Sequence, residues 1–274
     1  MKQTKKADKV ILLYGGKVRV EYFDQYHRYF VNKKRKIGVT TVTGVIDKSR
    51  ALIWWATGLM KDHLKEVIDG GEKISIADVE YAARLHMQRK TESADLGTQV
   101  HDWAERYIKA SPEYRPKIEL PEDERVLNGV LAFLKWVKDH GVEFVASERV
   151  VYSKQHDYIG TLDCLFTMKK EKHGIVHVGD FKTSKGVYDE MIFQVTAYEE
   201  ALREEMATGC DMVECSMPEG EVIFGNKYIL RFDKETGEFE AHQISAKDHE
   251  KDIKAFIGLM YAKQRLMELE EARK

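Results

Sequence analysis

The stretch "GDFKTSK" (179–185) sets a carboxylate and an ammonium two residues apart, Asp180 and Lys182, directly after the apolar run "GIVHV". In an extended strand residues i and i+2 share a face, so Asp180 and Lys182 point one way and Phe181 the other. The preceding apolar run, "YIGTLDCLFTM", carries Asp163 on a face with Thr161 and Leu165. The charged turn "KKEKHG" joins the two runs as an antiparallel hairpin, which brings Asp163 and Asp180 toward the same end. Two neighbouring carboxylates repel each other unless a cation neutralises them. Hard oxygen ligands suit Mg²⁺, which keeps several waters and often shares its coordination with phosphate. A lysine beside such a pair can hold an attacking water or a phosphate. The assembly makes chemical sense for metal-assisted phosphodiester hydrolysis. On spacing alone, an ordinary strand end entering a solvated turn is the commoner outcome.

The flanking residues add to the pattern. "SERVVYS" places Glu148 on the strand before Asp163. "FQVTAYEEA" places Gln194 and Tyr198 four apart, on one face of a helix that follows Lys182. An amide and a phenol there can hold a phosphate or a base, or form the polar edge of the helix.

Glu148, "YIGTLD" (158–163), "GDFKTSK" (179–185), Gln194 and Tyr198 together resemble the RecB-type branch of the PD-(D/E)XK nuclease superfamily. "LGTQVHDWAERY", with Gly97 and His101, is similar to that branch's helix with a histidine after a small-residue turn. The opening hairpin and "GVTTVTGVIDKSRALIWWA" also resemble stand-alone exonucleases of the branch found in phages and mitochondria. The chain departs from the superfamily's name in reading "TLD" where that name has "PD". The resemblance implies an α/β (α+β) fold, a restriction-endonuclease-like core whose central mixed sheet is flanked by helices, preceded by a helical N-terminal region. It implies that Asp163, Asp180, His101 and the backbone carbonyl of Phe181 ligate Mg²⁺ or Mn²⁺. Lys182 would orient or help deprotonate the attacking water and stabilise charge on the phosphate. Glu148 would bind a second metal or orient Lys182, and Gln194 and Tyr198 would position DNA. The implied activity is that of a metal-dependent deoxyribonuclease, an exonuclease on single strands or DNA ends that leaves 5′-phosphates and 3′-hydroxyls. A role in recombination, repair or replication, with a protein partner from those processes, follows from the family alone. The alternatives are a flap- or branch-specific endonuclease with the same metal site, and a non-catalytic DNA-binding module. Intact Asp163, Asp180 and Lys182 speak against the last.

Composition narrows the field less. Among 274 residues, 44 Lys and Arg oppose 46 Asp and Glu, so no global basic field advertises nucleic acid, although a charged groove is a local matter. The basic runs "MKQTKKADK" (1–9) and "NKKRK" (32–36) read as a frayed terminus and a solvated turn. Three cysteines, Cys164, Cys210 and Cys215, with no CxxC pair, argue against a disulfide scaffold, a zinc site or an iron–sulfur cluster. No Walker A loop is present, so no nucleotide cofactor is expected. No apolar run is long enough for a membrane span, and no apolar segment follows the first lysines. The expectation is an intracellular protein, in a bacterial or phage-infected cytoplasm, with no membrane partner.

The elements that must hold these residues fall into two regions. Residues 1–141 read as a hairpin followed by helices, a cleft wall or arch that carries His101. Residues 142–274 read as the nuclease core. In the first, helices are predicted at "SRALIWWATGLMKDHLKEVIDGG" with Ser49 as cap, at "SIADVEYAARLHMQRK" with a Ser75–Asp78 capping box, at "GTQVHDWAERYIKA", and at "PEDERVLNGVLAFLKWVKDHG". The second opens with three strands, then a helix over "DEMIFQVTAYEEALREEMA", further strands near "EVIFGNKYILRF" and "EFEAHQIS", and a long closing helix. Trp54, Trp55, Trp103 and Trp136 are expected in the core, the alternative being that at least one stacks on an unpaired base.

Overall fold

The computed structural model describes residues 7–208, 221–233 and 235–273. Cys210 and Cys215 lie outside the described residues, and Cys164 is a buried free thiol. The chain opens with a small antiparallel meander, β1 (Lys9–Leu13), β2 (Val18–Phe23), β3 (Arg28–Val31) and β4 (Lys34–Arg35). Its turns use left-handed backbone, at Tyr14, Gly15 and Gly16 after β1 and at Asn32 and Lys33 after β3. Positive φ at both central residues of a two-residue loop matches the natural twist of a hairpin.

A two-residue strand, β5 (Ile37–Gly38), leads into the short helix α1 (Val39–Thr43). The helical hairpin α2 (Ser49–Asp69) and α3 (Ile76–Lys109) follows, then α4 (Glu124–His140). Ser49 is the first residue of α2 rather than its cap; its N–H donates to Asp47 Oδ1 at 2.8 Å. The capping box of α3 is complete, with Asp78 N–H donating to Ser75 Oγ and Ser75 N–H donating to Asp78 Oδ2. The two helices expected over 75–110 are one. The intervening "KTESADL" contains no breaker, and a lone Gly97 costs a helix only about 1 kcal/mol. Helix α4 starts at Asp123, whose side chain accepts the Arg125 N–H, and stops at Gly141 with φ of 59°.

The remaining elements are β6 (Val142–Ser153), β7 (Tyr158–Met168), β8 (Ile175–Lys182), α5 (Asp189–Ala207), β9 (Ile223–Phe224), β10 (Lys227–Phe232), β11 (Phe239–Ile244) and α6 (His249–Ala272). They build a mixed central sheet flanked by helices. Its main order is β11-β10-β8-β7-β5, with β6 on β7 and β9 on β8. β6, β7 and β8 are antiparallel neighbours, whereas β10 runs parallel to β8 and β5 parallel to β7.

One apolar cluster joins the sheet to α1, α5 and α6 through Val42, Leu162, Leu165, Val195, Leu202 and Phe256. A second joins it to α3 and α4 through Val100, Trp103, Val130, Phe133, Phe166 and Phe181. Phe181 therefore points away from the α5 side, as strand alternation requires. A third cluster seats the small meander on Tyr152 and Ile159 of the main sheet. Trp103 is buried as expected, but Trp54 is 71% exposed. Helix α2 contains no buried residue, because it packs on α3 and has no second layer above it. Among the described residues no helix is long and apolar enough to cross a membrane.

Phe133 is the hub of the second cluster. It is fully buried, and seven aromatic rings lie with centroids 5.5–6.3 Å from its own. Phe133→Ala is expected to cost about 3–5 kcal/mol, the usual range for truncating a buried aromatic. Denaturant unfolding checks this; a loss under about 1 kcal/mol would mean that the cluster refills the space.

Candidate active site

The site begins as a gap in the sheet. β6 follows one edge of β7 for its whole length. The other edge is divided, with β8 pairing residues 164–166 and β5 pairing residues 158–159. Residues 160–163 have no strand on that edge among the described residues. β7 and β8 part company after the Cys164↔Gly179 pair, and Asp163 fills the fork. Its Oδ2 accepts the Phe181 N–H at 2.6 Å, so a side chain takes the donor that a continuing ladder would have used. The apolar cluster on α5 contains both Leu162 and Leu165, three residues apart. Strict alternation thus breaks at Asp163, and Asp163 does not share a face with Leu165 as its spacing suggests.

Glu148 sits opposite this break, between the pairs Ser147↔Cys164 and Arg149↔Leu162. Its φ is 52°, a left-handed conformation that costs a non-glycine residue of order 1–3 kcal/mol and is typically held at functional sites. Ligand atoms of His101, Glu148 and Asp163 all lie within 4.8 Å of one another. His101 Nδ1 is 3.8 Å from Asp163 Oδ2, and the imidazole meets the Phe181 ring edge to face, centroids 5.9 Å apart. Helix α3 reaches this point through Gly97. A Cβ there would stand 2.9 Å from Thr183 Oγ1, just past the end of β8. The missing side chain lets the helix approach the strand end, one turn before His101. In the sequence Gly97 reads as part of a turn; here it is a contact surface within a continuous helix.

Asp180 and Lys182 occupy the α5 side of the fork. Asp180 is completely buried. The Lys182 ammonium lies against its Oδ2, and Gln194 Nε2 donates to its Oδ1 at 3.1 Å. Gln194 also donates to the Tyr198 hydroxyl at 3.0 Å. The four-residue spacing of Gln194 and Tyr198 thus serves a stack of polar contacts beneath Asp180, and both side chains are buried. Tyr198 is itself fitted to β7 at Gly160, where a Cβ would meet its ring at 2.5 Å. Asp180 stands apart from the cluster of His101, Glu148 and Asp163, its oxygens held by Gln194 and Lys182.

The charges are set by this packing. Burial pushes the Asp180 carboxyl up to about 6, with Lys182 opposing the rise and Asp163 adding to it. Burial lowers the Lys182 ammonium, but Asp180 and Asp163 outweigh it and leave its pKa above the ordinary value. Desolvation and the nearby Asp163 carboxylate push Glu148 up to about 7, although the residue as a whole is exposed and water screens part of this rise. Burial raises the Cys164 thiol well above its usual range, so it is an inert neighbour here. An imidazole and two carboxylates within one ligand radius, with a third carboxylate and an ammonium alongside, fit a divalent cation. Tyr29 escaped the sequence reading. Its hydroxyl is 2.6 Å from Thr161 Oγ1, on the unpaired stretch of β7, and a lone tyrosine in a hairpin gives no signal of such a contact.

No family model matches the chain, and no curated protein matches it. Among solved structures it is similar to an alkaline exonuclease from Laribacter hongkongensis, at 12% identity and a TM-score of 0.26, over 87% of this chain and 95% of that one. A structure of that exonuclease in complex with dAMP gives 12% identity and a TM-score of 0.25, over 85% and 94%. A likeness at this level assigns neither site nor substrate.

The raised carboxyls have a measurable consequence without metal. An acid whose folded pKa lies above its unfolded one supports folding fully below the unfolded value. That support is lost as pH rises through the folded value, here about 6 to 7. Glu148→Gln removes one such acid. The difference in Tm between this variant and the parent chain, both metal-free, is expected to grow in the variant's favour from about pH 5 to about pH 8. A difference independent of pH would show that Glu148 titrates normally.

Proposed function

We propose that the protein is a divalent-metal-dependent deoxyribonuclease that hydrolyses phosphodiester bonds at the fork between β7 and β8. The observation that carries this reading is the convergence of His101, Glu148 and Asp163 on one point beside the Asp180–Lys182 pair. The motif resemblance from Glu148 to Tyr198 supports it independently. His101, Glu148 and Asp163 would hold the cation, with Asp180 and the Phe181 carbonyl completing its surroundings. A bound Mg²⁺ or Mn²⁺ supplies Lewis acidity, activating water and offsetting charge on the phosphate.

The chain's own residues have distinct tasks. Lys182 is held protonated by two carboxylates, so it donates a hydrogen bond and stabilises negative charge on the phosphate rather than removing a proton. Gln194 fixes the Asp180 carboxylate, and Tyr198 fixes Gln194. Both are positioning residues in this reading, and they act on DNA through Asp180. Phe181 orients Asp163 through its backbone N–H and His101 through its ring.

Within this reading, residues 1–141 wall the cleft and lend β5 to the sheet, whose other strands lie within residues 142–274. Single strands or free ends are the favoured substrate. Exposed Trp54 supports this, because it lines with Trp55 a groove of about 550 Å³ that reaches Lys185, three residues beyond Lys182; the groove's cations Arg89, Arg125 and Lys185 are paired with Glu92, Asp123 and Glu235, so stacking rather than charge is what it offers. Aromatic stacking of this kind contributes about 1–3 kcal/mol per unpaired base.

Asp180→Asn and Lys182→Ala are each expected to reduce Mg²⁺-dependent cleavage of a single-stranded oligonucleotide by at least about 10²-fold while remaining folded. Unchanged activity in both would remove the site assignment. His101→Ala is expected to weaken Mn²⁺ binding, read by calorimetry, by about 10-fold or more. A linear single strand should be degraded much faster than its covalently closed circle; equal rates would replace end-dependent action with endonuclease action.

A further inference from the structure

The basic turn at 32–36 is exposed from Asn32 to Arg35, as expected of a solvated turn, and its end borders a cavity. Where the small meander meets β5 and β7, a cavity of about 240 Å³ opens. His27, Arg28, Arg35 and Lys36 line it, together with the rings of Tyr22 and Tyr29. No aspartate or glutamate is among its lining residues. Lys36 is neutralised by Asp157, 2.7 Å away. Arg28 and Arg35 have no carboxylate partner among the described residues; Arg28 lies over the Tyr26 ring at 5.6 Å. Both arginines are solvent-exposed and border the cavity, and the guanidinium fork matches phosphate oxygens.

The inner wall of this cavity belongs to the candidate active site. Thr161 lines it and lies two residues before Asp163, about 6.6 Å along the strand. Tyr29 is tied to Thr161 by the 2.6 Å contact of their hydroxyls. Tyr198, which holds Gln194 and through it Asp180, forms part of the same wall. The cavity and the cluster therefore share the unpaired stretch of β7. Its size, a little below the roughly 300–1,000 Å³ of small-molecule pockets, suits a single nucleotide.

We infer that this cavity is a nucleotide subsite: Arg28 and Arg35 take the phosphate next to the scissile bond, and Tyr22 and Tyr29 wall its sugar and base. The inference rests on the phosphodiesterase reading and deepens it. It gives the meander a role in placing the strand on the metal cluster. The phosphate that the subsite takes is either internal or terminal, and the two share the same chemistry.

The test uses the full chain with Ca²⁺ in place of Mg²⁺ and an internally labelled dT oligomer carrying a 5′-phosphate, a 3′-phosphate or neither. Fluorescence anisotropy reads Kd against salt. The Arg28→Gln/Arg35→Gln double variant is expected to bind about 10-fold or more weakly, with a salt slope lower by about 0.7, the loss of one single-strand phosphate contact. Lys33→Gln/Lys34→Gln removes the same charge from the same turn, outside the cavity lining, and is expected to leave both nearly unchanged. An equal loss on all three oligomers assigns the subsite to an internal phosphodiester. A loss confined to one phosphorylated end assigns it to that terminus. Unchanged binding in the arginine variant, or an equal loss in the lysine variant, overturns the subsite. Cleavage with Mg²⁺ is scored separately. A parent chain that binds through Arg28 and Arg35 but never cleaves would overturn the phosphodiesterase reading and leave the nucleotide contact standing.

Discussion

The hydrogen bond from the Phe181 N–H to the Asp163 carboxylate is the constraint around which this site is built. Sheets end their ladders where strands diverge, and the backbone donors left at such a fork must find other partners. Here the partner is a carboxylate. Asp163 is thereby fixed by the backbone of β8, on the strand that also carries Asp180 and Lys182. His101 reaches it across the gap from α3. Glu148 reaches it from β6 by way of a left-handed backbone. Phe181 fixes the acid through its N–H and supports the histidine through its ring, so a core residue sets the orientation of two groups it does not resemble chemically.

The two faces of the sheet contribute in different ways. The α3–α4 face is aromatic and carries the histidine; the α5–α6 face is aliphatic and carries the polar stack of Tyr198, Gln194 and Asp180. A buried carboxylate is tolerable only when its oxygens are occupied. Gln194 and Lys182 occupy those of Asp180, and the cost of desolvation appears as its raised pKa. The strain at Glu148 and the buried charge at Asp180 lie within one region, which is how folded proteins distribute local instability around reactive centres.

Much of this was legible in the sequence. The strands that carry Asp163, Asp180 and Glu148, the helix that carries Gln194 and Tyr198, and the shared face of Asp180 and Lys182 all follow from period-two and helical patterning. The caps at Ser75 and Gly141 were readable because they rest on local chemistry. What local patterning could not supply was long-range. Nothing near Glu148 announces a positive φ, since the opposing break in β7 imposes it. Nothing in "LGTQVHDW" reveals that Gly97 serves contact with Thr183 and leaves the helix continuous. Trp54 carries every mark of a core residue, and it is exposed because no further layer covers α2. The basic turn reads as solvated and is exposed from Asn32 to Arg35; what the sequence does not reveal is that Lys36 at its end pairs with Asp157, a tertiary contact.

The edge of β7 that β5 and β8 divide has a consequence for assembly. Tyr29 meets Thr161 from 132 positions away, Tyr14 donates its hydroxyl proton to the Tyr152 carbonyl from 138, and its N–H reaches Glu205 from 191. Contacts of such sequence separation close large loops, and their entropic cost is met only when much of the chain is already in place. The meander and β5 arrive at a sheet whose β6–β7–β8 portion can form from neighbouring segments. The candidate metal cluster also needs α3, so His101, Glu148 and Asp163 come together only as distant parts of the chain dock. A chain still emerging holds the histidine before the acids, and a cut between α4 and β6 puts the histidine and the acids on separate pieces. Assembly of the candidate site is thus coupled to complete folding by topology alone.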